Sequence, residues 1–164
     1  MRWMIGGLAI LTIAGAAQAA SMQEAASPPA QTAEAPTAPA GPQWKIFSRS
    51  DRINYLIDLA SIRPEGEEVR VMVARVPRAP EAGDLSHVID EFGVECAAGR
   101  TRVVNATEVL EDGETSDTYV TDEPWSEARA GTLDEAVKQL ACGEMVPSGA
   151  EHASIRAYMD AGRP

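Results

Sequence analysis

"EFGVECAAGRTRVV", residues 91–104, closes an alternating segment on a cysteine and resumes the alternation after a short break containing Gly99. In the longer run "SHVIDEFGVECAA", Val88, Phe92, Val94 and Cys96 recur on one face with Asp90 among them, while Glu91 and Glu95 fall on the opposite face. That is the two-residue period of a half-buried strand, and it turns Cys96 toward the core. The other cysteine of the chain, Cys142, lies at the end of the helical pattern in "DEAVKQLACGEM". Whether the two sulfurs meet decides how the fold is closed.

On the N-terminal side, "WKIFSRS" (44–50) and "INYLIDLA" (53–60) read as strands joined by a tight turn at Asp51-Arg52. In the second, Tyr55, Ile57 and Leu59 share one face and Asn54 and Asp58 the other. "EVRVMVARV" (68–76) aligns Val69, Val71 and Val73 on one side before Pro77 and Pro80 stop it. On the C-terminal side, "RTRVVNATEVLE" and "ETSDTYVT" are joined by "EDGE" (111–114), whose Asp112-Gly113 is a hairpin signal. Six successive strands with mostly short connections predict an antiparallel meander with one apolar face.

That face needs a cover. "TLDEAVKQL" (132–140) offers one: Thr132 as N-cap with Glu135 three residues on forms a capping box, and Leu133, Ala136, Val137, Leu140 and Ala141 form an apolar stripe. Gly143 is the stop. The fold class is therefore α+β, a six-stranded antiparallel sheet with a C-terminal helix packed on it. Regular winding at about 100° per residue sets Cys142 away from the stripe. A bridge to Cys96 thus requires the helix to end at or before Cys142.

Whether thiols oxidise depends on the compartment. "MRWMIGGLAILTIAGAAQAASMQ" has the charged, apolar and small-residue layout of a signal peptide over residues 1–19, with cleavage after Ala19 or Ala20. Its apolar run is shorter than the ~20 residues a membrane span needs, against the competing reading of a retained anchor. Export favours a Cys96–Cys142 disulfide over two free thiols. Such a bridge closes a loop whose constraint is worth about 4 kcal/mol on the chain-entropy account. Residues 20–43 are an Ala/Pro-rich linker with too little apolar surface to order itself. The domain spans 44–145, and 146–164 forms a tail. Ile155, Tyr158 and Met159 there have helical spacing, read either as a short helix docked on the domain or a second copy, or as a frayed end.

The ordered set "WKI" at 44, "YLIDLASIR" at 55–63, "VRVMV" at 69–73, "EC" at 95–96, Arg102, Trp125 and the closing "GTLDEA" before Cys142 resembles the bacterial surface-adhesin protein E family over about residues 44–143. The resemblance implies a six-stranded antiparallel sheet whose C-terminal helix is tethered to the concave face by a disulfide. It also implies a module that holds proteins rather than transforms them. The adhesin of that family is lipid-anchored through a cysteine at its leader cut. This chain has none before Cys96, so periplasmic residence or secretion is expected more than surface display.

Composition narrows the partners. A formal net charge of −11 with Lys45 and Lys138 as the only lysines argues against nucleic acid and for solubility, with a basic partner as the further reading. His87 and His152 lie in unrelated segments without metal-binding spacing and read as lone surface side chains, and no redox C-x-x-C, nucleophile elbow or phosphate loop occurs. No catalytic residue, cofactor or metal is expected. Asp90, acidic on a core face, is the one carboxylate to watch: a bond to Arg100 or Arg102 is its bland reading, and acid-base work in a concave pocket is the sharp one. Arg49, Arg52, Arg63, Arg70, Arg75, Arg78, Arg100 and Arg102 either pair with glutamates across strands or face an acidic partner. Trp125 either packs beneath its connection or anchors an interface. The leading expectation is an exported, non-catalytic module that recognises a protein or peptide, with homodimerisation through sheet edges. A structural envelope protein and a small carboxylate hydrolase are the alternatives.

Overall fold

The computed structural model describes residues 41–121 and 123–164. The leader, and the linker up to residue 40, lie outside the described residues. Six long strands run in sequence: β1 (Trp44–Arg49), β2 (Ile53–Glu65), β3 (Glu68–Pro77), β4 (His87–Glu95), β5 (Arg100–Val109) and β6 (Thr115–Val120). Two-residue strands β7 (Ser126–Glu127) and β8 (Glu151–His152) follow, with helices α1 (Leu133–Ala141) and α2 (Ile155–Asp160). All pairings are antiparallel, in the order β6-β5-β4-β3-β2-β1-β8, with β7 beside β5.

The sheet has eight strands instead of six. Each addition is a pair of residues, too short to show alternation: β7 sets Ser126 opposite Thr101, and β8 sets His152 opposite Trp44. Only tertiary placement makes them strands. β2 also runs five residues past its expected end, through an irregularity between Asp58 and Arg63, before Gly66 turns the chain with φ 67°.

Register sorts the side chains into rows. On one face Tyr55, Arg75, Val88 and Glu108 lie side by side; next come Ile57, Val73, Asp90, Ala106 and Tyr119, then Val71, Phe92 and Val103, then Val69, Val94 and Thr101. Ile57, Val71, Val73, Phe92 and Val94 form a core with Val137, Leu140 and Ala141 of α1. Each fully buried aliphatic or aromatic side chain there stabilises by about 1.5–3 kcal/mol.

The expected helix forms with its ends locally determined. Thr132 accepts the Glu135 amide at 3.2 Å, whereas the Glu135 carboxylate accepts from the Gly131 amide at 2.7 Å, one residue earlier than a strict capping box requires. At the other end the Glu144 amide donates to the Gln139 carbonyl and that of Gly143, at φ 73°, to the Leu140 carbonyl, the Schellman arrangement. The helix therefore ends at Ala141 with Cys142 as its cap. Released from helical winding there, Cys142 bonds Cys96 just beyond β4, with Cα atoms 5.8 Å apart.

The expectation of a single apolar face is corrected. Trp44, Leu56, Ala74 and Val76 on the opposite face form a second core with Ile155, Tyr158 and Met159 of α2. Asn54 and Asp58 had marked this face as wet, yet both are buried. Asn54 Nδ2 donates to the Tyr158 hydroxyl at 2.6 Å, and Asp58 Oδ1 accepts from the amides of Gln43 and Ala60. Buried polar groups with partners are compatible with a core. Residues 146–164 thus complete this face: Gly149 passes so near Ile46 that an added Cβ would lie 2.9 Å from its side chain.

Candidate binding surface

α1 covers only part of its face. Beyond it, Ile53, Tyr55, Arg75, Pro77, Val88, Val109 and Leu110 line a largely apolar hollow of about 450 Å³ that no α1 residue reaches. A second cavity of about 330 Å³ opens between β3–β6 and the segment leading into α1, lined by Asp90, Phe92, Thr101, Val103, Ala106, Tyr119 and Leu133, among others. Arg75 borders both. The two hollows lie side by side on this face with Arg75 as their shared wall, a double hollow that makes up the candidate groove; Leu110 lines the larger and Tyr119 the smaller, and both remain exposed.

Asp90 sits in this groove, 3% exposed. Its partner is Arg75, one row away on β3, and not Arg100 or Arg102: Arg75 Nη2 donates to Oδ1 at 2.9 Å and Nε approaches Oδ2 at 2.6 Å. Burial pushes the Asp90 carboxyl above its usual range, against the hydrogen bond and charge of Arg75, which lower it. A concave pocket around Asp90, the criterion set for a carboxylate enzyme, is present. Both oxygens of the acid are engaged by the guanidinium.

Four of the other arginines pair with glutamates, as the plainer expectation held, whereas Arg49 and Arg78 donate to the Pro164 and Ser50 carbonyls and, among the described residues, Arg52 has no ion-pair partner within 4.0 Å. Arg63 binds Glu91, Arg70 lies 3.0 Å from Glu65 and 3.1 Å from Glu68, Arg100 donates to Glu95, and Arg102 donates to Glu68 at 3.0 Å. Gly93 makes room for this cluster, because a Cβ there would stand 3.0 Å from Glu68. Trp125 is half-buried, its ring 4.5 Å from the Arg102 guanidinium and 5.6 Å from that of Arg100. It lids the ion cluster, whose Arg102 also lines the smaller cavity.

The histidines are less exposed than the sequence suggested. His87 borders the apolar hollow with Nδ1 2.8 Å from the Leu85 carbonyl, and burial, aided by the Arg163 charge, holds its imidazole below the ordinary range. His152 packs edge-on against Tyr158 with ring centroids 5.3 Å apart. Among the described residues no three His, Cys, Asp or Glu side chains gather to hold a metal.

Sequence reasoning passed over Thr101. Its residue is 1% exposed, it lines the smaller cavity, and its hydroxyl has no hydrogen-bond partner. The signal was available in part: Thr101 continues the row of Val69 and Val94, a hydroxyl at a position where the pattern calls for an aliphatic.

Among the described residues no helix is long and apolar enough to cross a membrane. No curated protein and no solved structure matches the chain. The sequence model of surface-adhesin protein E matches residues 44–143, from the first residue of β1 through the cap of α1 and both cysteines. An antiparallel sheet, a helix stripe in its core and a Cys96–Cys142 bond fill that span, and the chain belongs to the surface-adhesin protein E family.

Proposed function

We propose that this protein is an exported, non-catalytic binding module that holds a protein or peptide partner at the bacterial envelope in the groove on the α1 face. Family membership supports an adhesin-like role and an exported or surface location. The observation that carries the reading is the groove itself: apolar walls left bare beside a covered core, continuous with exposed Leu110 and Tyr119. A largely apolar concavity with a few polar groups at its rim is the usual form of a binding site. The engagement of both Asp90 oxygens by Arg75 favours binding over acid-base chemistry. Signal cleavage after residue 19 or 20 and a 20–43 linker would present the domain away from its point of export. The β6 edge, exposed along its whole length, is where a second copy would add to the sheet.

A photo-reactive residue placed at Tyr119 or Leu110 tests this in native envelope preparations, with exposed Val146, which borders neither hollow, as the control position. One discrete protein adduct is expected from the groove positions and not from Val146. Identical adduct patterns from all three positions, or none from the groove, would overturn the reading.

A further inference from the structure

We propose that the smaller cavity receives a basic side chain, lysine or arginine, from the protein partner lying on this face; the inference rests on the binding reading above and names what is bound. Three observations converge. The first is the Thr101 hydroxyl, buried on the cavity wall without a partner. Such a group is a standing cost to the fold, and because the oxygen is closed over, a donor entering the cavity removes that cost by displacing the side chains that cover it.

The second is the charge left over. Arg75 matches Asp90, and Arg102 shares Glu68 with Arg70, which also holds Glu65, so these charges balance. Glu123 and Asp134 also line the cavity, and among the described residues neither has an ion-pair partner within 4.0 Å; Asp134 accepts only the Ser126 hydroxyl, at 3.1 Å. The N-terminus of α1 opposes a cation with roughly half an elementary charge. Two full carboxylates outweigh it.

The third is shape. Phe92, Val103, Ala106 and Leu133 line the walls while the acids and hydroxyls of Thr101, Thr121 and Ser126 supply acceptors. An aliphatic stem ending in N–H donors satisfies both parts, as long basic side chains do elsewhere. An acidic residue would meet uncompensated carboxylates, and a purely apolar one would leave the acceptors unpaired.

The test titrates the purified exported protein with three short peptides, alike except for a central lysine, norleucine or glutamate, followed by amide NMR shifts. The lysine peptide is expected to move the Thr101, Val103 and Leu133 amides saturably, and the other two are not. Glu123→Gln combined with Asp134→Asn should weaken that binding by about tenfold. Thr101→Val should weaken it too while leaving the thermal midpoint unchanged or higher, since no protein hydrogen bond is lost; a purely structural hydroxyl would lower the midpoint instead. Equal shifts with norleucine, or no shifts with the lysine peptide up to about 10 mM, would overturn the proposal. If the Tyr119 adduct persists in that case, only the basic-side-chain assignment fails; if it is absent as well, the groove reading fails with it.

Discussion

At the scale of single residues, Asp90 shows how far a letter can be read. Alternation set it on the core face, and the structure keeps it there at 3% exposure. Its partner was misread because Arg100 and Arg102 are near in sequence, while Arg75 is near through the β3–β4 register, in which Val88 faces Arg75 and Asp90 faces Val73. Register across strands is invisible to a single-strand pattern. The pair yields a prediction with a definite pH dependence. Arg75→Met strands a buried carboxylate, which typically costs about 3–5 kcal/mol when both partners are buried; the Arg75 side chain is 43% exposed, so the lower end is expected. Burial already raises the Asp90 pKa in the folded state, so the folded chain holds its proton to higher pH than the unfolded one, whose value is about 3.9. The penalty is present above the folded pKa and is relieved as pH falls through it. Urea midpoints of the variant and parent should therefore differ most near neutral pH and converge toward pH 4. A gap that is constant with pH would show that Arg75 acts through packing alone.

At the scale of elements, strands long enough to alternate were legible and strands of two residues were not. β1, β3, β4 and β6 begin or end within a residue or two of their predicted bounds. α1 was legible through its cap and stripe, down to the requirement that it end at or before Cys142. The second core escaped because Asn54 and Asp58 announced a solvated face, and because their partners are Tyr158, far away in sequence, and backbone amides. α2 itself has only six residues, capped by Ser154 accepting from the Ala157 amide. A helix of that length has no stability alone, so its order derives from docking. Ending the chain after Ala153 removes Ile155, Tyr158 and Met159 from the second core and leaves Asn54 unpaired. Three lost side chains at about 1.5–3 kcal/mol each are comparable to the whole stability of a small domain. The truncated protein should lose cooperative thermal unfolding or show a midpoint lower by more than 10 °C, roughly the shift expected for several kcal/mol in a domain of this size. Tyr158→Phe, which keeps the packing and removes one hydroxyl, should cost about 1–3 kcal/mol through the unpaired Asn54 amide. An unchanged midpoint in the truncation would mean that α2 is an ornament of the sheet and not its second lid.

At the scale of the whole molecule, one sheet serves two cores that are closed by different means. α1 is tied by Cys96–Cys142 across a separation of 46 residues, whereas α2 is held by burial, the Asn54–Tyr158 bond and contacts such as Arg163 to the Asp84 carbonyl at 2.6 Å and Arg49 to the Pro164 carbonyl at 2.6 Å. The disulfide acts mainly on the unfolded chain, and its loss costs about 4 kcal/mol. The native contacts of α1 survive reduction, but they no longer have a covalent limit on opening. The groove also lies on the α1 side, with Leu133 and Asp134 forming part of its wall, so the tie that steadies α1 also fixes one bank of the binding surface. Hydrogen exchange of the reduced protein should therefore show a graded loss of protection. Amides of 136–141 and the adjoining ends of β4 and β5 should exchange through a local opening well before global unfolding, while those of β1, β2 and α2 keep the protection of the remaining global stability. Affinity for whatever occupies the groove should fall with reduction even where the sheet stays folded. Uniform loss of protection across both faces would instead make the two cores a single cooperative unit, in which α1 has no freedom to open by itself and the bridge acts on global stability alone.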